Sequence, residues 1–121
     1  LQYSRVMLEP SFALGIERVK AGMERYRIAL MCSEKDPLAC HRALLVGRRL
    51  FQDGVAVEHI LADGLTLTQP ALEFRLLELC NLSEGDMFSS RGACIDAAYQ
   101  LQGDRVAHAD AAPNGELVPA P

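Results

Sequence analysis

Residues 27–60 read RIALMCSEKDPLACHRALLVGRRLFQDGVAVEHI, and this segment carries the predicted architecture. The apolar run at residues 27–32 predicts a short buried strand, and the β-branched residues at 55–60 predict a second one. The residues between them predict a helix of about four turns, which makes the segment a βαβ unit. We therefore expect two parallel strands joined by a right-handed crossover.

The boundaries of this helix are marked by capping residues. Asp36 followed by Pro37 is a helix-start signal, because an N-cap acceptor precedes a proline at the first helical position. The helix is expected to run to Gln52 and to stop at Asp53-Gly54, where glycine can take the left-handed conformation.

The flanking sequence adds helices and little sheet. Apolar residues at spacings of three and four predict helices over residues 11–26, after Pro70 and after Gly92, and residues 105–108 are read as a short edge strand. We predict a single α/β domain over residues 1–108 and a flexible tail over 109–121. Its parallel sheet has a central βαβ unit flanked by helices, followed by a helical C-terminal part. Two strands do not make a stable sheet alone, so either residues 3–8 supply a third or the domain is incomplete.

Composition and charge exclude several classes of protein. The chain has 121 residues, is half apolar and carries a formal net charge of −4, which argues against a disordered chain and against a general nucleic-acid binder. It contains no apolar run of membrane-spanning length and no visible signal peptide. Four scattered cysteines favour a reducing, cytoplasmic setting, and Cys80 and Cys94 are read as buried apolar residues. A homo-oligomer is compatible with all of this.

The candidate site gathers at one end of the predicted strands. Cys32 ends the first strand, Cys40, His41 and Arg42 lie in the opening turns of the helix, and His59 lies near the end of the second strand. Ligands of open parallel sheets collect at the carboxyl ends of the strands, so these side chains are expected to share a cleft.

Such a cleft favours an anion. A helix N-terminus attracts phosphate or carboxylate, Arg42 offers a planar fork for it, and Lys35 adds a mobile charge. The same field lowers a thiol pKa, which makes Cys32 or Cys40 a candidate nucleophile with a histidine as proton acceptor.

We therefore predict an enzyme-like domain that binds an anionic or phosphate-bearing small molecule, with the reaction left open. The predicted catalytic residues are Cys32, Cys40 and His41, and the predicted binding residues are Arg42, Lys35, His59, Glu34 and Asp36. No cofactor is predicted.

Two other interpretations remain open. In the first, the domain is a non-catalytic binding or interaction module in which Asp36 is only an N-cap and Glu34 and Arg42 form internal ion pairs. In the second, the thiols and imidazoles hold a metal, although the sequence lacks a CxxC or HxxxH spacing. A redox disulfide between Cys32 and Cys40 is a further alternative.

The same segment resembles a bacterial and archaeal family known as domain of unknown function 488. The resemblance rests on Met31–Pro37 running into Cys40-His41-Arg42, and then on residues 44–45, 54, 59–60, 63–64, 75–77, 86–88 and 98–100. It is read as a likeness to the family's later half over most of residues 1–108. It implies an α/β sandwich of cytoplasmic proteins without a settled activity.

Overall fold

The computed structural model describes residues 2–82 and 90–110, the last two by their backbone alone. The fold mixes helices with one small sheet, and its elements follow in chain order: α1 (Tyr3–Val6), α2 (Pro10–Met23), a 3₁₀ helix (Pro37–Ala39), a π-helix (Arg42–Gly47), α3 (Arg48–Gln52), β1 (Glu58–Ile60), β2 (Thr66–Thr68), α4 (Gln69–Leu79) and α5 (Arg91–Asp110).

The capping predictions for the central helix are confirmed, although the helix is interrupted. Asp36 accepts a hydrogen bond from the Leu38 N–H at 2.9 Å, as an N-cap does. The chain makes only one 3₁₀ turn before Cys40 returns to an extended conformation, and the π-helix then runs directly into α3. The helix ends as expected, because Gly54 takes a φ of +90°, which favours glycine.

The sheet is antiparallel, so the prediction of a parallel βαβ sheet is wrong. β1 pairs with β2 in the register Glu58↔Thr68 and Ile60↔Thr66. The physical reason lies in the turn at Asp63-Gly64, where Gly64 has a φ of +86° and the Leu65 N–H donates to Asp63 Oδ1 at 2.9 Å. Strands joined by so short a turn can only run antiparallel.

Three segments expected as strands are not strands. Residues 27–32 form an extended coil opposite 55–60, with 27–31 exposed, and the space between the two segments is a cavity rather than a hydrogen-bonded ladder. Residues 3–8 contain α1, and residues 105–108 continue α5. The last error arose because Gly103 suggested a break. In the helix its missing side chain admits the Tyr3 ring, to which an added Cβ would come within 3.3 Å.

The core lies between α4, α5, α1 and the π-helix. It consists of buried side chains that these helices contribute, among them Leu44, Leu45, Leu72, Leu76, Leu77, Cys80, Cys94, Ala98 and Tyr99. The expected burial of Cys80 and Cys94 is confirmed, and both are free thiols. A buried hydrogen bond from Gln102 Nε2 to the Leu38 carbonyl, 2.7 Å long, fastens the 3₁₀ helix to α5. Helix α5 therefore fixes the position of the 3₁₀ helix, which directly precedes the candidate residues Cys40, His41 and Arg42.

Residues 111–121 of the predicted tail lie outside the described residues, and residues 109–110 end α5. Within the described parts of the chain, each helix is too short or too polar to cross a membrane.

Candidate functional site

A cavity of about 400 Å³ separates the extended coil 27–30 from residues 55–60. We call it the Arg42 cavity, because the Arg42 side chain lines it beside Gly47 and His59. Its other walls are mostly aliphatic and include Val19, Met23, Ile28, Leu30, Leu50, Val55, Val57 and Ile60. The Nη2 atom of Arg42 is buried and has no hydrogen-bond partner among the described residues. One guanidinium donor of a residue that lines the cavity is therefore buried without a partner among the described residues.

His59 is buried and fixed in orientation. Its Nε2 donates to Gln69 Oε1 at 2.6 Å, so the neutral ring carries its proton on Nε2 and leaves Nδ1 as an acceptor. Burial lowers the pKa of His59, and the Arg42 charge lowers it further, although the Gln69 hydrogen bond opposes the shift. The ring is therefore neutral at pH 7 and adds no positive charge to that of Arg42.

The hydrogen bonds from His59 continue into the helical core. Gln69 Nε2 donates to the Tyr99 hydroxyl oxygen at 2.6 Å, and that hydroxyl donates to Glu73 Oε2 at 2.9 Å. Burial is the largest cause that raises the pKa of Tyr99, and the neighbouring Glu73 carboxylate raises it too. Because each donor meets an acceptor, this relay holds β1, α4 and α5 together without an unpaired group.

Gly47 allows the close approach of the elements around Arg42. A Cβ added there would lie 3.0 Å from the Arg42 carbonyl oxygen and 3.3 Å from His59 Cε1. Gly47 ends the π-helix, a widened geometry that is rare and is found preferentially at functional sites. Because Gly47 has no side chain, the His59 ring packs directly on the backbone of the π-helix.

Cys32, Cys40 and His41 form a second group, which we call the Cys–His cluster. Their two sulfur atoms and one imidazole nitrogen lie within 4.8 Å of one another. Cys32 is half-buried at the end of the extended coil, Cys40 is buried and His41 is exposed. In the structure the two cysteines are joined by a disulfide. The Arg42 backbone N–H donates to Cys40 Sγ at 3.2 Å, so the cluster and the Arg42 cavity meet at one residue.

His41 opens onto another cavity. This second cavity has a volume of about 410 Å³, and His41 and Arg42 line it together with Met31 and one face of α2. Arg42 therefore borders both cavities.

The predicted site residues accordingly fall into four sets, one of which is the Cys–His cluster. Arg42 and His59 share the Arg42 cavity, whereas neither cysteine is among its lining residues. Asp36 is the N-cap of the 3₁₀ helix, which is its expected structural role. Glu34 and Lys35 are exposed and line none of these cavities. The nucleophilic role assigned to the cysteines remains a prediction and requires the dithiol form.

Sequence reasoning missed the groups that support the site. Gln69 and Glu73 were not identified. They lie four residues apart on the face of α4 that also carries its buried leucines, and this spacing could have indicated that both polar side chains are buried. Arg48 was also missed. It forms an ion pair with Asp96 at 2.9 Å and lies 4.3 Å above the Tyr99 ring, and it therefore ties α3 to α5.

The comparisons with known proteins yield one match. Residues 1–48 match the model of DUF488, a domain of unknown function. The resemblance to this family is supported. Because the match lies in the N-terminal part of the chain, the expected likeness to the family's later half over most of residues 1–108 is not confirmed. Neither the curated proteins nor the solved structures gave a match to this chain.

Proposed function

We propose that the chain binds a small molecule that combines a single negative charge with an apolar body, and that it does so in the Arg42 cavity. The observation that carries the proposal is the buried Nη2 of Arg42, which has no partner among the described residues. A charged donor that loses water without gaining an acceptor costs more than an ordinary hydrogen bond contributes. An anionic ligand would remove that cost once the Arg42 side chain moves to bring this buried nitrogen into contact with it.

The walls of the cavity favour a ligand with an aliphatic part. Apart from Arg42 and His59, the inner lining is mainly Val, Leu, Ile and Met side chains. Arg27 and Glu58 also line the cavity, but both are exposed and their charges are opposite, so they add no net charge. Burial of apolar ligand surface is worth about 25 cal/mol per Å², and this surface supplies much of the binding energy.

The head group is a carboxylate rather than a phosphate. Carboxylate and phosphate groups both accept two parallel hydrogen bonds from one guanidinium, but a phosphate dianion carries a second negative charge that Arg42 alone does not balance. The neutral His59 ring adds no positive charge to the lining. The proposal therefore narrows the sequence-based expectation of an anionic or phosphate-bearing ligand, and it is a proposal of binding alone.

Calorimetric titration of the full chain with hexanoate, 1-hexanol and inorganic phosphate tests the proposal. We expect hexanoate to bind, and we expect hexanol and phosphate to bind at least about tenfold more weakly, because a charge-assisted hydrogen bond contributes about 1.5–3 kcal/mol. Arg42→Met should lose hexanoate binding, and Arg42→Lys should retain part of it. Arg49→Gln is the matched control, since Arg49 pairs with Asp53 on the surface and does not line the cavity.

Each other result counts against a defined part of the proposal. Equal binding of hexanol and hexanoate, or unchanged binding by Arg42→Met, would overturn the role of Arg42. Tighter binding of phosphate than of hexanoate would overturn the apolar carboxylate. Circular dichroism of each variant confirms that the fold is retained.

A further inference from the structure

We infer that Cys32, Cys40 and His41, in the dithiol form, are the protein ligands of a zinc ion. The inference is independent of the anion proposal, because it concerns different side chains. Two thiolates and an imidazole are donors that zinc prefers, and their donor atoms already lie within 4.8 Å of one another.

Local chain geometry explains how three residues at irregular spacing come together. The Asp36 cap and the single 3₁₀ turn reverse the chain after Cys32, and the extended conformation of Cys40, with φ −142° and ψ 139°, directs the chain back toward it. His41 then begins the helical segment. The sequence lacks a familiar zinc motif because this turn, rather than a fixed interval, supplies the geometry.

The separation of the two cysteines fits a bridging ion. Their Cα atoms are 7.1 Å apart, whereas disulfides usually join Cα atoms 4.4–6.8 Å apart. In a tetrahedral site with Zn–S bonds of about 2.3 Å, the two sulfur atoms lie about 3.8 Å apart. Two cysteines that share a zinc ion can therefore have more widely separated Cα atoms than two cysteines joined by a disulfide. His41 is exposed, so its imidazole can close the remaining distance by a change of rotamer.

A backbone hydrogen-bond donor faces the Cys40 sulfur. Its sulfur is buried and accepts the Arg42 backbone N–H at 3.2 Å. A hydrogen bond donated to the charged form stabilises that form. This donor is a backbone group, so it survives any substitution of the Arg42 side chain.

Three protein ligands leave the fourth zinc position open. His41 and Arg42 both border the second cavity, so water or a small anion can occupy that position. Zinc sites with three protein ligands and one exchangeable ligand are of the open type that polarises a bound water or carbonyl.

Zinc binding and the disulfide are alternative states of one cysteine pair. A phosphine first reduces the disulfide, and in that step the phosphine and one water become a phosphine oxide while the cysteines gain two protons. Zinc then displaces those two protons and forms two Zn–S bonds. The zinc step itself transfers no electrons.

Titration of the phosphine-reduced full chain with Zn²⁺ against a chromophoric chelator measures the site. We expect binding of one zinc per chain, and Co²⁺ should give the d–d and thiolate charge-transfer bands of a tetrahedral site. Cys32→Ser, Cys40→Ser and His41→Asn should each weaken zinc binding by about 100-fold or more, since even outer-shell changes cost 10–100-fold.

Two control variants match these substitutions. Cys80→Ser alters a buried free thiol, and His108→Asn alters an exposed histidine, and neither residue belongs to the cluster. Both should bind zinc as the unmodified chain does.

The His41→Asn variant distinguishes a metal site from a cysteine pair that only forms a disulfide. Under oxidising conditions His41→Asn should still form the Cys32–Cys40 disulfide, whereas after reduction it should bind zinc poorly. Failure of the reduced chain to bind zinc, or equal zinc affinity in His41→Asn and the unmodified chain, would overturn the inference.

Discussion

Buried polar side chains are hydrogen-bonded to one another between α4 and α5, whereas one buried polar group near the Arg42 cavity has no partner among the described residues. Between α4 and α5, the side chains of Gln69, Glu73 and Tyr99 form a relay in which each donor meets an acceptor. At the Arg42 cavity, the guanidinium has a buried nitrogen without a partner among the described residues. A hydrogen-bonded relay stabilises one specific fold, whereas a buried charged donor without a partner destabilises the folded state. This contrast is the reason for proposing the Arg42 cavity as a ligand site.

The largest expected difference concerns apolar packing in the two regions. Leu76 is fully buried, whereas Leu30 on the cavity wall is 39% exposed. We expect Leu76→Ala to lower the free energy of unfolding by about 2–5 kcal/mol, the usual cost of deleting buried methyl groups. Leu30→Ala should cost less than about 1 kcal/mol, because solvent already reaches that side chain. Urea denaturation of both variants measures the difference, and equal losses would show that the cavity wall belongs to the core.

The sequence predicts those parts of the fold that depend on local backbone chemistry, but not those that depend on pairing with a distant segment. The cap at Asp36 and the stop at Gly54 follow from local backbone chemistry and are confirmed. The strand expected at residues 27–32 is absent, since an apolar run shows only that a segment is apolar and does not show whether it finds a strand to pair with. Thr66-Leu67-Thr68 alternates as a strand should, and the preceding Asp63-Gly64 turn is a recognised hairpin signal that went unused.

The sequence predicted that Arg42 and His59 lie close together, but it did not predict how the other candidate residues are grouped, and the functional role of all of them remains a prediction. Arg42 and His59 were identified as binding residues, and the structure places both on one cavity. The cysteines were expected at the same cleft, but neither of them lines that cavity, and they form a separate cluster with His41. Gln69 is ten residues from His59 and thirty from Tyr99, and pairings at such separations depend on tertiary packing.

A smaller effect is expected from the relay that joins α4 to α5. Tyr99→Phe removes the hydroxyl that receives the Gln69 amide and donates to Glu73, and it leaves both buried groups unpaired. We expect a loss of about 1–3 kcal/mol in the free energy of unfolding. Tyr26→Phe is the matched control, because Tyr26 is 66% exposed and should change stability by less than about 0.5 kcal/mol. Indistinguishable thermal denaturation of the two variants would contradict the structural role of the relay.

A still smaller effect is expected in the pH dependence of the free energy of unfolding, to which His59 contributes. Because burial lowers its pKa below the ordinary 6.5, the unfolded chain binds a proton more readily than the folded chain between the lowered pKa and about pH 6.5. The His59 contribution is therefore complete above about pH 7.5 and is lost as the pH falls through 6.5 toward the lowered value.

Stability measured by urea denaturation from about pH 8 to pH 5 tests this contribution, with the slope below pH 7 as the readout. His59→Gln should flatten that slope relative to the unmodified chain. His108→Asn is the control, because His108 is exposed, and it should retain the slope. An unchanged slope in His59→Gln would place the pH dependence elsewhere.

The smallest expected change in stability, and the one of opposite sign, belongs to Arg42→Met. Methionine keeps an apolar stem of similar reach and removes a buried donor that has no partner among the described residues, so the folded state loses an uncompensated desolvation cost. We expect a melting temperature equal to or slightly above that of the unmodified chain, together with loss of hexanoate binding. Arg48→Met provides the contrast, because Arg48 is paired with Asp96 and stacked on Tyr99, and its loss should lower the melting temperature. If Arg42→Met were the less stable of the two variants, Arg42 would be a structural residue like Arg48, and the distinction between the two regions would fail at the residue on which it most depends.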